Sequence, residues 1–249
     1  MKHVLFILLS FLLVNITKAQ VTSISSINVG GSAFVGISLI AEQNNHGASE
    51  LSFTPTPSYS GGVLVNVNWY QNLGIQIEGN YAFQGQKYYG TQSGIETEKN
   101  LTLNYIQIPV LFKYTFTEYS ISKAAPDLFF MVGPQFAFLQ NAKLAYLRGG
   151  TEVGFTEYHE NVFNPLLERL PEYTTDIDLF NNFDLSLTAA LGAQFEISDY
   201  LMITAESRLN WGVSDINART WRFPDLRNHY TASRNYVWGL KIGIVGTIW

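Results

Sequence analysis

From Ile106 to Phe116 every second residue is apolar or aromatic: Ile106, Ile108, Val110, Phe112, Tyr114 and Phe116, with Gln107, Pro109, Leu111, Lys113 and Thr115 between them. A period of two over this length predicts a β-strand with one face held away from water. The same alternation recurs along the chain. Ala33, Val35, Ile37 and Leu39 oppose Gly36, Ser38 and Glu42, and Val63, Val65, Val67 and Trp69 oppose Asn66 and Asn68. Leu73, Ile75, Ile77, Tyr81 and Phe83 oppose Gln76, Glu78, Asn80 and Gln84. Phe130, Val132, Phe136 and Phe138 oppose Gly133, Gln135 and Ala137, and Leu185, Leu187, Leu191 and Phe195 oppose Ser186, Thr188, Gly192 and Gln194. Leu201, Ile203, Ala205 and Leu209 oppose Thr204, Glu206, Arg208 and Asn210; Tyr236, Trp238, Leu240, Ile242 and Ile244 oppose Gly239, Lys241 and Gly243. The pattern predicts eight strands, a number that closes the smallest common membrane barrel.

The predicted connections alternate in length. Short ones follow the second strand ("QN") and the sixth ("ISDY"), and a moderate "TEYSISKAAPD" follows the fourth. The others are long, roughly 43–60, 87–100, 141–182 and 212–234. With the amino terminus on the periplasmic side, the long connections all fall outside and the shorter ones inside, as in outer-membrane barrels.

Charged residues are only 14% of the chain and aromatics another 14%, whereas a soluble surface carries about 25–35% charge. Much of the exterior is therefore expected to meet something other than water. The opening "MKHVLFILLSFLLVNITKAQ" has the basic start, the apolar stretch and the small residues of a secretory leader, predicting removal of residues 1–19 and a barrel domain over 20–249. No apolar run of about 20 residues follows, which excludes a transmembrane helix and leaves a closed barrel as the spanning structure. The absence of cysteine excludes a disulfide-stapled domain or a lipid anchor on a cleavage-site Cys. A net charge of −5 without any Lys/Arg run argues against a nucleic-acid partner.

A soluble lipocalin-like barrel alternates in the same way with its apolar face inward, so the polar faces decide. They carry Gly, Ser, Asn, Gln and Thr with isolated charges, and not the Lys/Glu mixture of a solvated strand. The predicted fold is an all-β, eight-stranded antiparallel up-and-down transmembrane barrel with short periplasmic turns, long extracellular loops and a lumen filled by side chains. Glu78, Lys113, Glu206, Arg208 and Lys241 are then interior charges of both signs, expected to pair in a structural network, because an unpaired charge in such an interior is costly. Trp69, Tyr81, Phe83, Tyr114, Phe116, Tyr236 and Trp238 are candidates for interfacial girdles. Pro109 cannot donate to a ladder, and Pro134 of the next strand should lie level with it, which predicts a shared bulge or bend.

The runs "LNYIQIPVLFKY" and "IQIEGNYAFQGQKYY", with Tyr105, Ile106, Gln107, Ile108 and Pro109 as the most specific part, resemble the outer-membrane β-barrel domain family of the PorT-like type common in Bacteroidetes. The ending "GTIW" is similar to the terminal aromatic signal read by barrel-assembly machinery, which gives Trp249 an implied role in assembly. The resemblance implies an OmpA- or OmpX-shaped barrel in the outer membrane and little about activity. A departure is the third outer connection, where "NPLLERLPEY" suits a short helix.

Three readings of function follow. The first is a structural or surface-recognition barrel with no catalysis, cofactor or metal, whose partners are membrane lipid, the assembly machinery and an unnamed external ligand; loop aromatics Tyr88, Tyr89, Tyr146, Tyr158, Trp221 and Tyr230 would serve it. The second is a small membrane enzyme acting on lipid A or on protein, with His159 beside Glu157 or Glu160, or His229 with Asp225, as the acid–base pair; neither has a metal-ligand spacing or a nucleophile context. The third is an accessory of a secretion machine. A pore is disfavoured by the narrow interior.

Overall fold

The computed structural model describes residues 24–41, 51–69, 72–116, 126–154, 176–219, 222 and 230–248. The leader 1–19, Trp249, the segment 164–173, Tyr158, Trp221 and the pairs built on His159 and His229 lie outside the described residues. Among these residues nine strands form in chain order: β1 Ile24–Ala41, β2 Leu51–Trp69, β3 Leu73–Gln92, β4 Ile95–Phe116, β5 Asp127–Arg148, β6 Thr151–Val153, β7 Phe183–Ser198, β8 Leu201–Gly212 and β9 Arg234–Thr247. Each neighbour pairs antiparallel, and β4 pairs with β5, so β1, β2, β3, β4, β5, β7, β8 and β9 close an up-and-down ring of eight. Strand β6 is a short addition that pairs the outer end of β5 at Tyr146–Arg148. Closure between β1 and β9 runs without slip from Asn28 opposite Thr247 to Ala41 opposite Arg234.

The alternation resolves as predicted. On β4, Ile106, Ile108, Phe112, Tyr114 and Phe116 are exposed, while Gln107, Leu111, Lys113 and Thr115 are buried. Every barrel strand repeats this, with Val35, Val63, Ile77, Leu191, Leu240 and Ile242 among the outward apolar side chains. A strand of ten steps from Phe116 to Ile106 is about 33 Å long, or about 23 Å along the axis at a tilt near 45°, close to the height of an outer-membrane apolar belt. Aromatics mark both margins. Tyr114 and Phe116 meet edge-on at 5.0 Å at the inner end; Tyr81 and Phe83 at 5.1 Å, Phe138 and Phe183 at 5.6 Å, and Trp211 and Tyr236 at 5.4 Å lie toward the outer end.

Above the belt the structure departs from expectation. The second predicted outer loop, 87–100, is instead strand on both sides of a two-residue turn at Ser93 and Gly94. Both turn residues have positive φ, 51° and 78°, the type I′ geometry that matches strand twist. Gly149 and Gly150, at 58° and 78°, make the same turn between β5 and β6. Strand β2 likewise begins at Leu51, inside the predicted first loop. Tyr88, Tyr89 and Tyr146 therefore sit on strands and not on loops. The β2–β6 side of the barrel rises well beyond the belt, and its outward face turns polar there, through Asn104, Thr102, Asn100 and Glu98 on β4.

The prolines lie roughly level, as expected, but without the register shift of a bulge. Pro109 lies opposite Gln135, so Pro134 is one step away, but the register is the same on either side of the gap between Pro109 and Phe112. The slip in this strand pair falls between Asn104 and Tyr105 instead, where β5 moves from Asn141 to Leu139. Gly133, beside Pro134, lies close against β4: a Cβ there would be 2.1 Å from the Val110 carbonyl oxygen.

Candidate functional site

The lumen is built from the inward positions of all eight strands, and its centre is Glu78. Strand β3, which carries it, stands diametrically across the ring from β8. Arg208 on β8 donates from Nη1 and Nη2 to the two Glu78 carboxylate oxygens at 2.8 and 2.7 Å, and Lys241 on β9 donates from Nζ to Oε2. Gln76 and Asn80, flanking Glu78 on its own strand, add amide donors at 2.6 and 2.9 Å. The carboxylate is thus saturated, with its side chain fully buried and Arg208's 4% exposed. Glu206, directly opposite Lys241 in the β8–β9 ladder, approaches Arg208 at 2.6 Å. That contact is an ion pair without hydrogen-bond alignment, leaving Glu206 Oε1 and Arg208 Nε without a hydrogen bond among the described residues.

The structure brings together four of the five expected interior charges. Lys113 stands apart: its Nζ bonds Gln194 Oε1 at 2.9 Å and lies 4.5 Å from the Phe129 ring centroid. The separation follows from position, since Lys113 is near the inner end of β4, with buried Leu111, Phe129, Met131 and Ala190 clustered beside it. These apolar residues point inward, so the lumen is not polar throughout, as the sequence had led us to expect.

The outer mouth is closed by a second apolar cluster. Leu101, Leu103 and Tyr105 of β4 and Leu139 of β5 point inward, and Leu179, Phe180 and Ile216 from the outer connections pack onto them. Leu179 belongs to a single 3-10 turn, Asp176–Leu179, secured where Asp176 Oδ2 accepts the Leu144 N–H at 2.8 Å. Beneath this cap Asp184 accepts from Ser214 Oγ and, at 2.9 Å, from Asn235 Nδ2. Between cap and charges, Gln84, Gln107, Gln135, Asn80 and Asn210 line a void of about 10 Å³ of water-centre space, which suits a single water.

In the fourth outer connection Asp215 is a second node. Its oxygens accept from Tyr230 Oη at 2.7 Å, from the Ser233 and Asn217 N–H groups at 3.1 Å each, and from Arg222 Nε at 2.9 Å. Burial and the bond to Asp215 push the Tyr230 hydroxyl up to about 12, so it stays a donor at any physiological pH. Tyr230 thus packs against its own loop. Lys99 and Arg148, on the inner face of the tall wall beside the expected loop aromatics Tyr88 and Tyr146, carry no signal in the sequence because that stretch reads as loop.

A ring of eight strands with an apolar exterior belt, aromatic margins and a lumen filled by its own side chains is a membrane β-barrel of the closed kind. The chain belongs to the outer membrane protein β-barrel domain family, whose model matches residues 18–218. Membership places the barrel in the outer membrane. Among solved structures it is similar to the outer membrane protein OprG from Pseudomonas aeruginosa, at 9% identity, 90% of this chain, 97% of that one and a TM-score of 0.48. Neisserial surface protein A follows at 10% identity, 89% and 98% coverage and 0.41. The attachment invasion locus protein Ail of Yersinia pestis follows at 10%, 88% and 99%, and 0.35. No curated protein matches the chain.

Proposed function

We propose that the protein is a closed, non-catalytic barrel of the outer membrane that holds a recognition surface above the lipid at the cell exterior. The observation that carries this is the combination of a lumen blocked at successive levels with a wall, β2 to β6, that continues past the belt. The inner cluster, the Glu78 node and the outer cap fill the lumen at three levels among the described residues, while the wall costs the chain many ordered residues that membrane anchoring alone does not require. Its carboxylates support the non-catalytic reading, because Asp184 and Asp215 are committed to loop-holding hydrogen bonds. Residues 1–19 act as the exported leader, cut after Ala19; Trp249 is the signal to the assembly machinery; membrane lipid surrounds the belt; and the family subtype is the PorT-like one of the Bacteroidetes.

Planar-bilayer recording of the refolded protein tests the closed lumen. Only rare, small events are expected, and a large stable conductance would sink the reading. Mass measurement of the protein from its native membrane, expected to begin at Gln20, tests the leader.

A further inference from the structure

The inner face of the tall wall carries two cations with no ion-pair partner among the described residues. Cross-strand pairing sets Tyr88 of β3, Lys99 of β4 and Tyr146 of β5 in one row, and Thr97 beside Arg148 in the next row outward. These rows face inward: Thr97, Leu101 and Tyr146 are buried, whereas Lys87 and Glu98, one position off, make a 2.9 Å ion pair on the opposite face. Lys99 Nζ lies 5.1 Å from the Tyr88 ring centroid and 5.8 Å from that of Tyr146, held by ring faces where an ion pair would otherwise hold it. Arg148 Nε and Nη1 are buried with no hydrogen-bond partner among the described residues. Lys99 and Arg148 are diagonal neighbours on adjacent strands, which puts their Cα atoms about 7 to 8 Å apart, a span one anionic group can bridge.

The wall's own acids do not answer this charge. Glu98 and Glu152 both pair with Leu147 and so alternate to the outward face with Glu96. Asp176 accepts the Leu144 N–H at the sheet edge. Buried guanidinium donors without acceptors are uncommon in a finished core, and the guanidinium fork fits phosphate, sulfate or carboxylate oxygens. The half-buried Tyr88 ring beside these two cations adds apolar surface, a mixture that suits an acidic sugar.

We infer that this tier is a binding site for an anionic saccharide, its phosphate, sulfate or carboxylate group held between Arg148 and Lys99 and its ring against Tyr88. The inference rests on the proposal that the wall stands at the cell exterior. Two sources share this chemistry: phosphorylated sugars of lipid headgroups in the same leaflet, and free acidic glycans.

Calorimetry on the full refolded chain in detergent tests it, with glucosamine 6-phosphate for the first source, a galacturonate trisaccharide for the second, and N-acetylglucosamine and inorganic phosphate as controls. At least one anionic sugar should bind more tightly than both controls, and more weakly as salt is added; which one binds assigns the source. Arg148→Gln and Lys99→Gln should each weaken it at least tenfold, Lys99→Arg should retain it, and Lys143→Gln, on the outward face of β5, should leave it unchanged. Each variant is first checked for the folded barrel's mobility on an unboiled gel. Absence of binding by both sugars overturns the inference, as does binding indifferent to Arg148 and Lys99; phosphate binding as tightly as the sugar phosphate overturns its saccharide part. A conducting pore that still binds through Arg148 would instead refute the closed-barrel function and leave the site standing.

Discussion

Glu78 is the place where the barrel's stability can be tested most directly. The Glu78→Gln variant keeps the side chain's shape and one acceptor oxygen but removes the charge on which Arg208 and Lys241 converge. In the native lumen Glu78 and Glu206 balance Arg208 and Lys241. After the substitution Arg208 retains Glu206 at 2.6 Å, but one positive charge is left in excess among side chains that are at most 5% exposed. Breaking a buried pair by removing one partner costs about 3–5 kcal/mol, because the survivor is stranded away from water. The contact also ties β3 to β8 across the full width of the ring, so no neighbouring strand can substitute for it.

The assay is urea unfolding of the refolded barrel in lipid vesicles, followed by tryptophan fluorescence and by loss of the compact band on an unboiled gel. Glu78→Gln is expected to lose about 3 kcal/mol, roughly a hundredfold in the folding equilibrium. The double variant Glu78→Gln/Lys241→Met, neutral again, should recover at least half of that. Lys113→Met is the control: its lysine touches Gln194 and the Phe129 ring but no carboxylate within ion-pair distance among the described residues, so a change within about 1 kcal/mol is expected. A loss below about 1 kcal/mol for Glu78→Gln, or a double variant no better than the single, would show that charge balance does not hold the lumen together.

The other predictions probe different levels. Ile108→Lys, at the middle of the belt, should cost about 2–4 kcal/mol in vesicles and Thr102→Lys, above it, less than about 1; equal costs would misplace the membrane margin. Gly133→Ala forces a Cβ to 2.1 Å from the Val110 oxygen and should lower stability by about 1–3 kcal/mol or abolish refolding, whereas Gly79→Ala, with nothing within 4 Å, should be near neutral by the same titration. Burial pushes the Lys99 ammonium down to about 8 from 10.5. Between those values the unfolded chain binds more protons than the folded one, so stability should rise as pH goes from 8 toward 10.5 and level off at its lower value below 8. Tyr88 and Tyr146 are the neighbours facing it, and burial raises the Tyr88 hydroxyl so that it titrates above this range. Urea midpoints at pH 7.5, 9 and 10 should show a rise in the native chain that Lys99→Met removes.

How much of this was legible in the sequence depended on where each strand met the membrane. Within the belt the chain is apolar outward and, apart from the Leu111 cluster, mostly small or polar inward, so parity along 106–116 or 236–244 gave both strand and face. Glu78, Glu206, Arg208 and Lys241 were readable because a charge on the inward parity of a narrow barrel has nowhere to go but to a partner. The exception, Lys113, could not be separated from them without knowing height: it shares their parity but sits nearer the inner end, where an amide and an aromatic face satisfy it.

The outer wall was missed for a physical reason that the same residues display. At the margin of the lipid the rule inverts: the outward face becomes polar at Asn104, Thr102 and Asn100, and the inward face becomes apolar at Tyr105, Leu103 and Leu101 to close the mouth. The alternation never stops; its sign changes, and a reading that followed outward apolar residues saw only its end. Ser93-Gly94 and Gly149-Gly150, two-residue signals of a tight hairpin, marked where these arms turn. An inversion of parity without loss of period, closed by such a dipeptide, is therefore the mark of a barrel strand that outruns its membrane. In this chain it sets Lys99 and Arg148 inside a wall where solvated loop had been expected.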